Sequence, residues 1–350
     1  MNEFKNLSYQ VTEPEYRAYP AYSYSLLSRF KQLGYANIDK LFDKISTPSL
    51  TFGKLVDCLV TEGEKVFRST YTPMCIKVSD TIKEIVDDIY KNVLDASINI
   101  DILENLDTTA INEIAVRHSY YDNPRYDKSR ADKVIKEGSE YFKLLMNNKN
   151  KTLVSYDDFT DALKCNEVLH NNPIINEVLT NKDTIFQAKF IHKIKFSDIK
   201  YMDSVKCMCD MIHIDDTNKT IQIYDLKTSS KPEFNFYKSF IEFNYNIQAD
   251  LYNWIIKQIK SDYAVYTDYK VLPFKFIVIN RKTLRPLIWE FNPEELLQRT
   301  NTEVVNKKIT DWQDLIKDLD NTLNNNNIPV EFTDTNKIYS LIHKLSDESN

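Results

Sequence analysis

The stretch from Val205 to Lys227 constrains the fold more than any other, because it reads as a β-hairpin that sets two aspartates and a lysine on one face. Its limbs are Val205–Ile214 and Thr220–Lys227, and Asp215-Asp-Thr-Asn-Lys219 between them supplies turn formers. A turn centred between Thr217 and Asn218 places Ile214 across from Ile221, Ile212 across from Ile223 and Asp210 across from Asp225. Directly opposed residues share a face, with Cβ atoms about 4.5–5.5 Å apart, and Lys227, two residues beyond Asp225, points the same way. A carboxylate pair and an ammonium therefore end a face of four isoleucines. The other face, Val205, Cys207, Cys209 and Met211 with Tyr224 and Leu226, is also largely apolar, so the hairpin is expected to be covered on both sides and central in its sheet. Burying such carboxylates without a partner is costly. A divalent cation is the simplest compensation, and an ordinary core hairpin in an unrelated enzyme is the alternative.

Periodicity predicts helices over Tyr24–Phe42, Phe52–Glu62, Thr81–Ala96, Asp127–Asn147, Tyr156–Leu169, Asn176–Leu179 and Phe240–Ile259. Strands are expected over Thr184–Phe196, Phe274–Asn280 and Leu287–Phe291 as well as the hairpin. Residues 1–20 read as an extended arm, Pro293–Leu319 as a last helical segment containing Trp312, and Asn324–Asn327 as a linker to a short C-terminal helix. The expected fold is α/β, a central mixed sheet flanked by helices, with a helical N-terminal part and a helical insertion. The Leu55, Val56, Leu59, Val60 stripe would set Asp57 beside the buried face of its helix.

Asp210, Asp225-Leu226-Lys227-Thr228 and Gln248-Ala-Asp-Leu-Tyr252, in that order, resemble the PD-(D/E)XK nuclease superfamily, and within it the RecE/RecB-like and lambda-exonuclease-like enzymes of phages and bacteria. The family pattern is an Asp ending one strand, Asp or Glu-x-Lys on the next, then a helix carrying Gln-x-x-x-Tyr. Ser23-Tyr-Ser-Leu-Leu27 resembles the family's helical entry, and Gly53-Lys-Leu-Val-Asp57 corresponds to its Gly-x-x-x-His segment. The resemblance spans about Tyr22–Val66 and Asp157–Leu297. Asp57 stands where relatives carry a ligating His, Gln187 where they often carry a Glu, and the Arg common before the first Asp is absent from Lys206-Cys-Met-Cys-Asp210.

The resemblance implies a restriction-endonuclease-like core and a metal-dependent DNA exonuclease in phage or mobile-element recombination. Asp57, Asp210, Asp225 and the Leu226 carbonyl would hold Mg2+ or Mn2+, with Asp210, Asp225 and Lys227 catalytic and Gln248 and Tyr252 positioning the nucleic acid. It implies DNA as the substrate, a recombination partner such as a single-strand annealing protein, and one elaborated domain over 1–350: helical entry 22–66, insertion 67–156, core 157–300, helical tail 301–350. The departures support an alternative, a catalytically decayed nuclease fold acting as a DNA-binding or scaffolding protein.

Net charge is −6, from 45 Lys and Arg against 51 Asp and Glu, so any hold on DNA must be a local basic groove. Candidates are Lys189, Lys193, Lys195, Lys206, Lys227, Lys231, Lys238, Arg281, Lys282 and Arg285. Only 4 Gly occur, which excludes a Gly-rich phosphate loop. Five cysteines with none after Cys209 lead us to expect reduced thiols and no iron–sulfur cluster. No apolar run of membrane-spanning length and no secretory leader is visible, so the expected location is the cytoplasm, that of a bacterial host if the chain is phage-encoded.

Overall fold

The computed structural model describes residue 8 and residues 10–43, 47–96, 100–196, 199–292 and 311–325. The chain divides into two compact units, Met1–Glu62 with Ala162–Asn350, and Gly63–Asp161. The first unit opens with helix α1 (Glu13–Ala18), strand β1 (Tyr22–Ser23), α2 (Tyr24–Leu33) and α3 (Pro48–Thr61). The second holds α4 (Glu64–Thr70), β2 (Tyr71–Met74), α5 (Asp80–Asp95), α6 (Thr108–Arg117), α7 (Asp127–Asn147) and β3 (Thr152–Ser155). After α8 (Tyr156–Asn171) the first unit resumes with α9 (Pro173–Thr180), β4 (Thr184–Lys193), β5 (Ser204–Asp215) and β6 (Thr220–Ser229). It ends with α10 (Phe236–Glu242), α11 (Tyr245–Asp262), β7 (Lys270–Val271), β8 (Phe274–Asn280), β9 (Leu287–Phe291) and α12 (Trp312–Asn325).

The first unit is α/β, built on a mixed seven-stranded sheet flanked by helices. β5 and β6 are its middle, as their two apolar faces require. β5 pairs antiparallel with β4 along one edge, and on the other edge with β1 at Val205–Lys206 and with β6 from Met211 onward. β6 pairs in parallel with β7 at its start and with β8 from Tyr224 to Ser229. The hairpin register is the expected one, Ile214 across from Ile221 and Ile212 across from Ile223, but its ladder ends at Met211–Tyr224. Beyond that pair β6 follows β8 while β5 stays with β4, so the two strands part at Asp210 and Asp225. The four isoleucines are buried with Ile247, Leu251 and Ile255 of α11 and Leu315 and Ile316 of α12 in one core. Each such side chain contributes roughly 1.5–3 kcal/mol.

Several boundaries differ from the sequence expectation. The arm over 1–20 contains α1, begun by a capping box between Thr12 and Glu15. Lys206, expected in a DNA groove, is instead buried and donates to the carbonyls of Tyr16, Arg17 and Tyr19 at 3.0, 2.9 and 2.7 Å, closing the end of that helix. α2 stops at Leu33 because Gly34 takes φ 65°, and a 3-10 turn, Tyr35–Lys40, follows. Pro48 begins α3 rather than breaking it, since Thr47 Oγ1 accepts the Leu50 N–H and proline lacks only a donor the first turn does not use. The single helix expected over Phe240–Ile259 is two, α10 and α11, divided by Asn244 in the left-handed region at φ 55°. β4 ends at Lys193. The expected helix from Pro293 to Thr310 and the linker and helix after Asn325 lie outside the described residues.

In the second unit α5, α6 and α7 enclose Ile82, Ile85, Val86, Ile111, Val134 and Phe142. A Cβ at Gly138 would meet Val86 Cγ2 at 2.6 Å, so α7 approaches α5 closely only because that position has no side chain. Buried Arg130 donates to the carbonyls of Tyr121 and Asn123, tying down the tyrosine-rich loop before α7.

Candidate active site

The parting of β5 from β6 leaves a backbone donor that the ladder would otherwise use. Leu226 N–H takes the Asp210 carboxylate instead, donating to Oδ2 at 2.8 Å, so a side chain closes the gap left by the strand. Across the other edge of β5 the register runs Phe186–Met211 and Ala188–Cys209, which sets Gln187 opposite Asp210. Gln187 is the strand residue with φ 50°, a left-handed conformation that costs about 1–2 kcal/mol for a side-chain-bearing residue. Its amide Nε2 reaches Asp57 Oδ1 and Oδ2 at 3.2 and 3.1 Å and Thr61 Oγ1 at 3.3 Å. Asp57 and Thr61 are successive turns of α3, which packs on β5 and β6. One turn earlier, a Cβ on Gly53 would lie 3.4 Å from Thr228 Oγ1, so α3 runs within ordinary van der Waals reach of β6 there.

Asp225 is 2% exposed and sits between two donors. Lys227 Nζ lies 2.6 Å from its Oδ2 and Gln248 Nε2 donates to its Oδ1 at 2.6 Å. Oδ2 and Gln248 Oε1 are buried without a hydrogen bond, the lysine contact being an ion pair only. The Lys227 ammonium also lies 4.7 Å above the ring of Tyr245. Gln248 can reach Asp225 because Asn244 restarts the helix at Tyr245. Tyr252, one turn further on, is buried and packs edge-on against Phe274 at 6.1 Å.

Three carboxylates in a buried place repel one another. Asp57 is pushed up to about 7 by burial and then by the charge of Asp225, with Lys227 opposing. Asp210 is raised well above the ordinary carboxylate range by burial, then by Asp225 and Asp57. Burial alone would lower the Lys227 pKa, but Asp225, followed by Tyr245, Tyr24 and Asp210, holds it above the usual lysine range, so it stays charged.

The structure thus brings Asp57, Asp210, Asp225, Lys227 and Gln248 into one electrostatic neighbourhood. Carboxylate oxygens are the donors that Mg2+ and Mn2+ prefer, and Asp225 Oδ2 carries no hydrogen bond, so the donor type fits a hard divalent cation. Among the described residues, no group of three or more His, Cys, Asp or Glu side chains is gathered as a metal site. The carboxylates face Gln187, Leu226 N–H, Lys227 and Gln248. Sequence reasoning missed two participants, the Gln187 amide as holder of Asp57 and the Tyr245 ring beneath Lys227. The Asn244-Tyr245 break was the signal for the second, since asparagine tolerates the left-handed region. Of the other candidate groove cations, Lys193 lies 3.3 Å from Asp203 and Lys231 pairs with Glu242.

Among the described residues no helix is long and apolar enough to cross a membrane. No protein-family model and no curated protein matches the chain. Solved structures similar to it include a Eubacterium rectale protein provisionally named an exonuclease, 12% identical over 89% of this chain and 88% of that one, with a TM-score of 0.43.

Proposed function

We propose that the chain is a metal-dependent DNA nuclease, and specifically an exonuclease hydrolysing phosphodiester bonds in phage or mobile-element recombination. The observation that carries the reading is the Asp210–Asp225–Lys227 group at the point where β5 and β6 part, with Asp57 and Gln248 turned toward it. Asp57, Asp210, Asp225 and the Leu226 carbonyl would hold Mg2+ or Mn2+, which when bound supplies a Lewis acid for the phosphate and its attacking water. Lys227 is held charged by Asp225, so it can orient a water by donating a hydrogen bond to its oxygen and offset the charge growing on the phosphoryl oxygens. Gln248 fixes the Asp225 rotamer and Gln187 fixes that of Asp57, which keeps the carboxylates in place while a phosphate enters. The water oxygen attacks phosphorus and gives up a proton to solvent, the bond to the leaving sugar oxygen breaks, and that oxygen takes a proton from solvent. Tyr252 shares the Gln248 face of α11 and would back the positioning of the strand.

The test is digestion of end-labelled linear DNA and closed circular DNA with Mg2+, Mn2+ or chelator present. Loss of linear DNA only with metal is expected. Equal loss in chelator removes metal hydrolysis, and equal cutting of circles removes the exonuclease assignment while leaving the nuclease. A second reading, a decayed nuclease fold that binds DNA without cutting it, is favoured by the Gln187 amide occupying both oxygens of Asp57. In that case DNA is bound and stays intact with either metal.

A further inference from the structure

We infer that Tyr24 and Ser28 of α2 are positioning residues for the carboxylate site: their hydroxyls clasp the Phe243 carbonyl and so hold the left-handed turn that sets the Tyr245 ring under Lys227 and the Gln248 amide on Asp225. The kinetic consequence rests on the reading of that site as a nuclease's, and the conformational one does not. The need for a clasp arises where α10 meets α11. In a continuous helix the Phe243 carbonyl would accept the Ile247 N–H. With Asn244 at φ 55°, the Ile247 N–H goes instead to the Asn244 carbonyl at 3.0 Å, which leaves the Phe243 carbonyl to side chains. Tyr24 Oη donates to it at 2.7 Å and Ser28 Oγ at 3.2 Å. Residues 24 and 28 are one turn apart on α2, so both hydroxyls leave from one face.

α2 can act as a fixed clasp because it is anchored without the hinge. Leu27 and Phe30 are buried in the core, and Tyr22, just before the helix, donates to Asp320 Oδ1 at 2.5 Å. A side-chain-bearing residue stays left-handed only where its surroundings over-determine it, and two hydroxyls on an anchored helix supply that determination next to Asn244. From the turn the effect passes to the reacting groups in two short steps. The Tyr245 ring lies 6.2 Å from that of Tyr24 and carries the Lys227 ammonium 4.7 Å above it. Gln248, in the same first turn of α11, donates to Asp225 Oδ1 at 2.6 Å, while Lys227 Nζ lies 2.6 Å from Asp225 Oδ2. Without the hydroxyls the Phe243 carbonyl loses both side-chain donors and the turn loses its support. The first turn of α11 then loosens, and the Asp225–Lys227 pair loses the ring and the amide that hold it. Both hydroxyls are spent on Phe243, so their removal acts on the aim of the catalytic pair and not on the grip on DNA.

The test uses the full chain with Tyr24→Phe, Ser28→Ala and the two combined. Hydrogen exchange read by mass spectrometry, in chelator and without DNA, should be faster over residues 243–252 in the double variant and unchanged over β5 and β6. With linear DNA and Mn2+, kcat should fall by about tenfold while KM stays at the wild-type value, since a buried carbonyl is left unsatisfied and no substrate contact is lost. Asn244→Gly added to the double variant should restore much of that kcat, because glycine takes positive φ freely, whereas Asn244→Ala should not. Wild-type exchange over residues 243–252 overturns the clasp, and so does an equal loss of protection in β5 and β6. A raised KM at unchanged kcat overturns it too, because the hydroxyls then touch DNA, as does a fall in kcat that Asn244→Gly leaves untouched. If the double variant does not fold, each single variant carries the same comparisons with one hydroxyl left on the carbonyl. A protein that shows the local exchange change yet cuts nothing with metal keeps the clasp and loses the nuclease reading.

Discussion

Gln187 donates from its side-chain amide to both carboxylate oxygens of Asp57, at 3.2 and 3.1 Å, from a strand position whose backbone is left-handed at φ 50°. Side-chain-bearing residues rarely hold that conformation in a strand, and where they do the surroundings must over-determine it. Here the surroundings are β5, which keeps its register on both sides of Gln187, and α3, which presents Asp57 to the amide. A buried carboxylate pushed up to about 7 is thereby given a donor that does not itself carry charge.

Gln187→Glu replaces that donor with a carboxylate facing Asp57. Two acids in contact cannot both ionise cheaply and share a proton instead. The variant should melt lower than wild type at pH 8 in chelator and approach it near pH 5, where the shared proton is present. Thermal melts at the two pH values check this, and an unchanged melting temperature at pH 8 would mean the amide–carboxylate contact is not formed in solution.

Asp225→Asn should abolish nuclease turnover and also lower stability, because it leaves the Lys227 ammonium, 18% exposed, without its counter-charge. Breaking such a pair costs about 3–5 kcal/mol, whereas replacing both members is often neutral. Asp225→Asn/Lys227→Met should therefore recover most of the lost stability while remaining inactive. Denaturant melts of the two single variants and the double give the coupling, and strict additivity would show that the ion pair does not exist.

Asp250, on α11 away from Gln248, is pushed up to about 7 by burial and then by the charge of Asp311. The unfolded chain releases this proton near the ordinary carboxylate value and the folded chain keeps it, so stability falls as pH rises from about 4 to about 7 and is level above. Asp250→Asn removes the effect. Its melting advantage over wild type should grow across that window and stay constant beyond it, and a difference independent of pH would refute the assignment.

Asn244 divides α10 from α11 at φ 55° and so decides where Gln248 points. Asn244→Gly should be tolerated, while Asn244→Val should cost about 1–2 kcal/mol, because a β-branched residue is an outlier at positive φ. Activity should fall with the valine variant by more than the loss of folded protein explains. Measuring turnover per folded molecule separates the two effects.

The hairpin was legible in the sequence because alternate isoleucines have one arrangement that buries them all, and a one-residue slip would expose the set. That logic fixed Ile214 across from Ile221 and put Asp210, Asp225 and Lys227 at one end of one apolar face. The strands, the flanking helices and the helix carrying Asp57 followed from periodicity in the same way, and the mixed sheet agrees with what the family resemblance implied. Lys206 was misread because a lysine spaced for a groove looks the same in sequence as one spaced to reach the carbonyls of Tyr16, Arg17 and Tyr19, far away in the chain. Only the tertiary structure decided that β6 leaves β5 after Tyr224 to follow β8, which frees the Leu226 N–H for Asp210, and that Gln187 holds Asp57. Both depend on which strand competes for an edge and which helix lies over it, and hydrogen bonds between residues far apart in sequence leave no periodic trace along the chain.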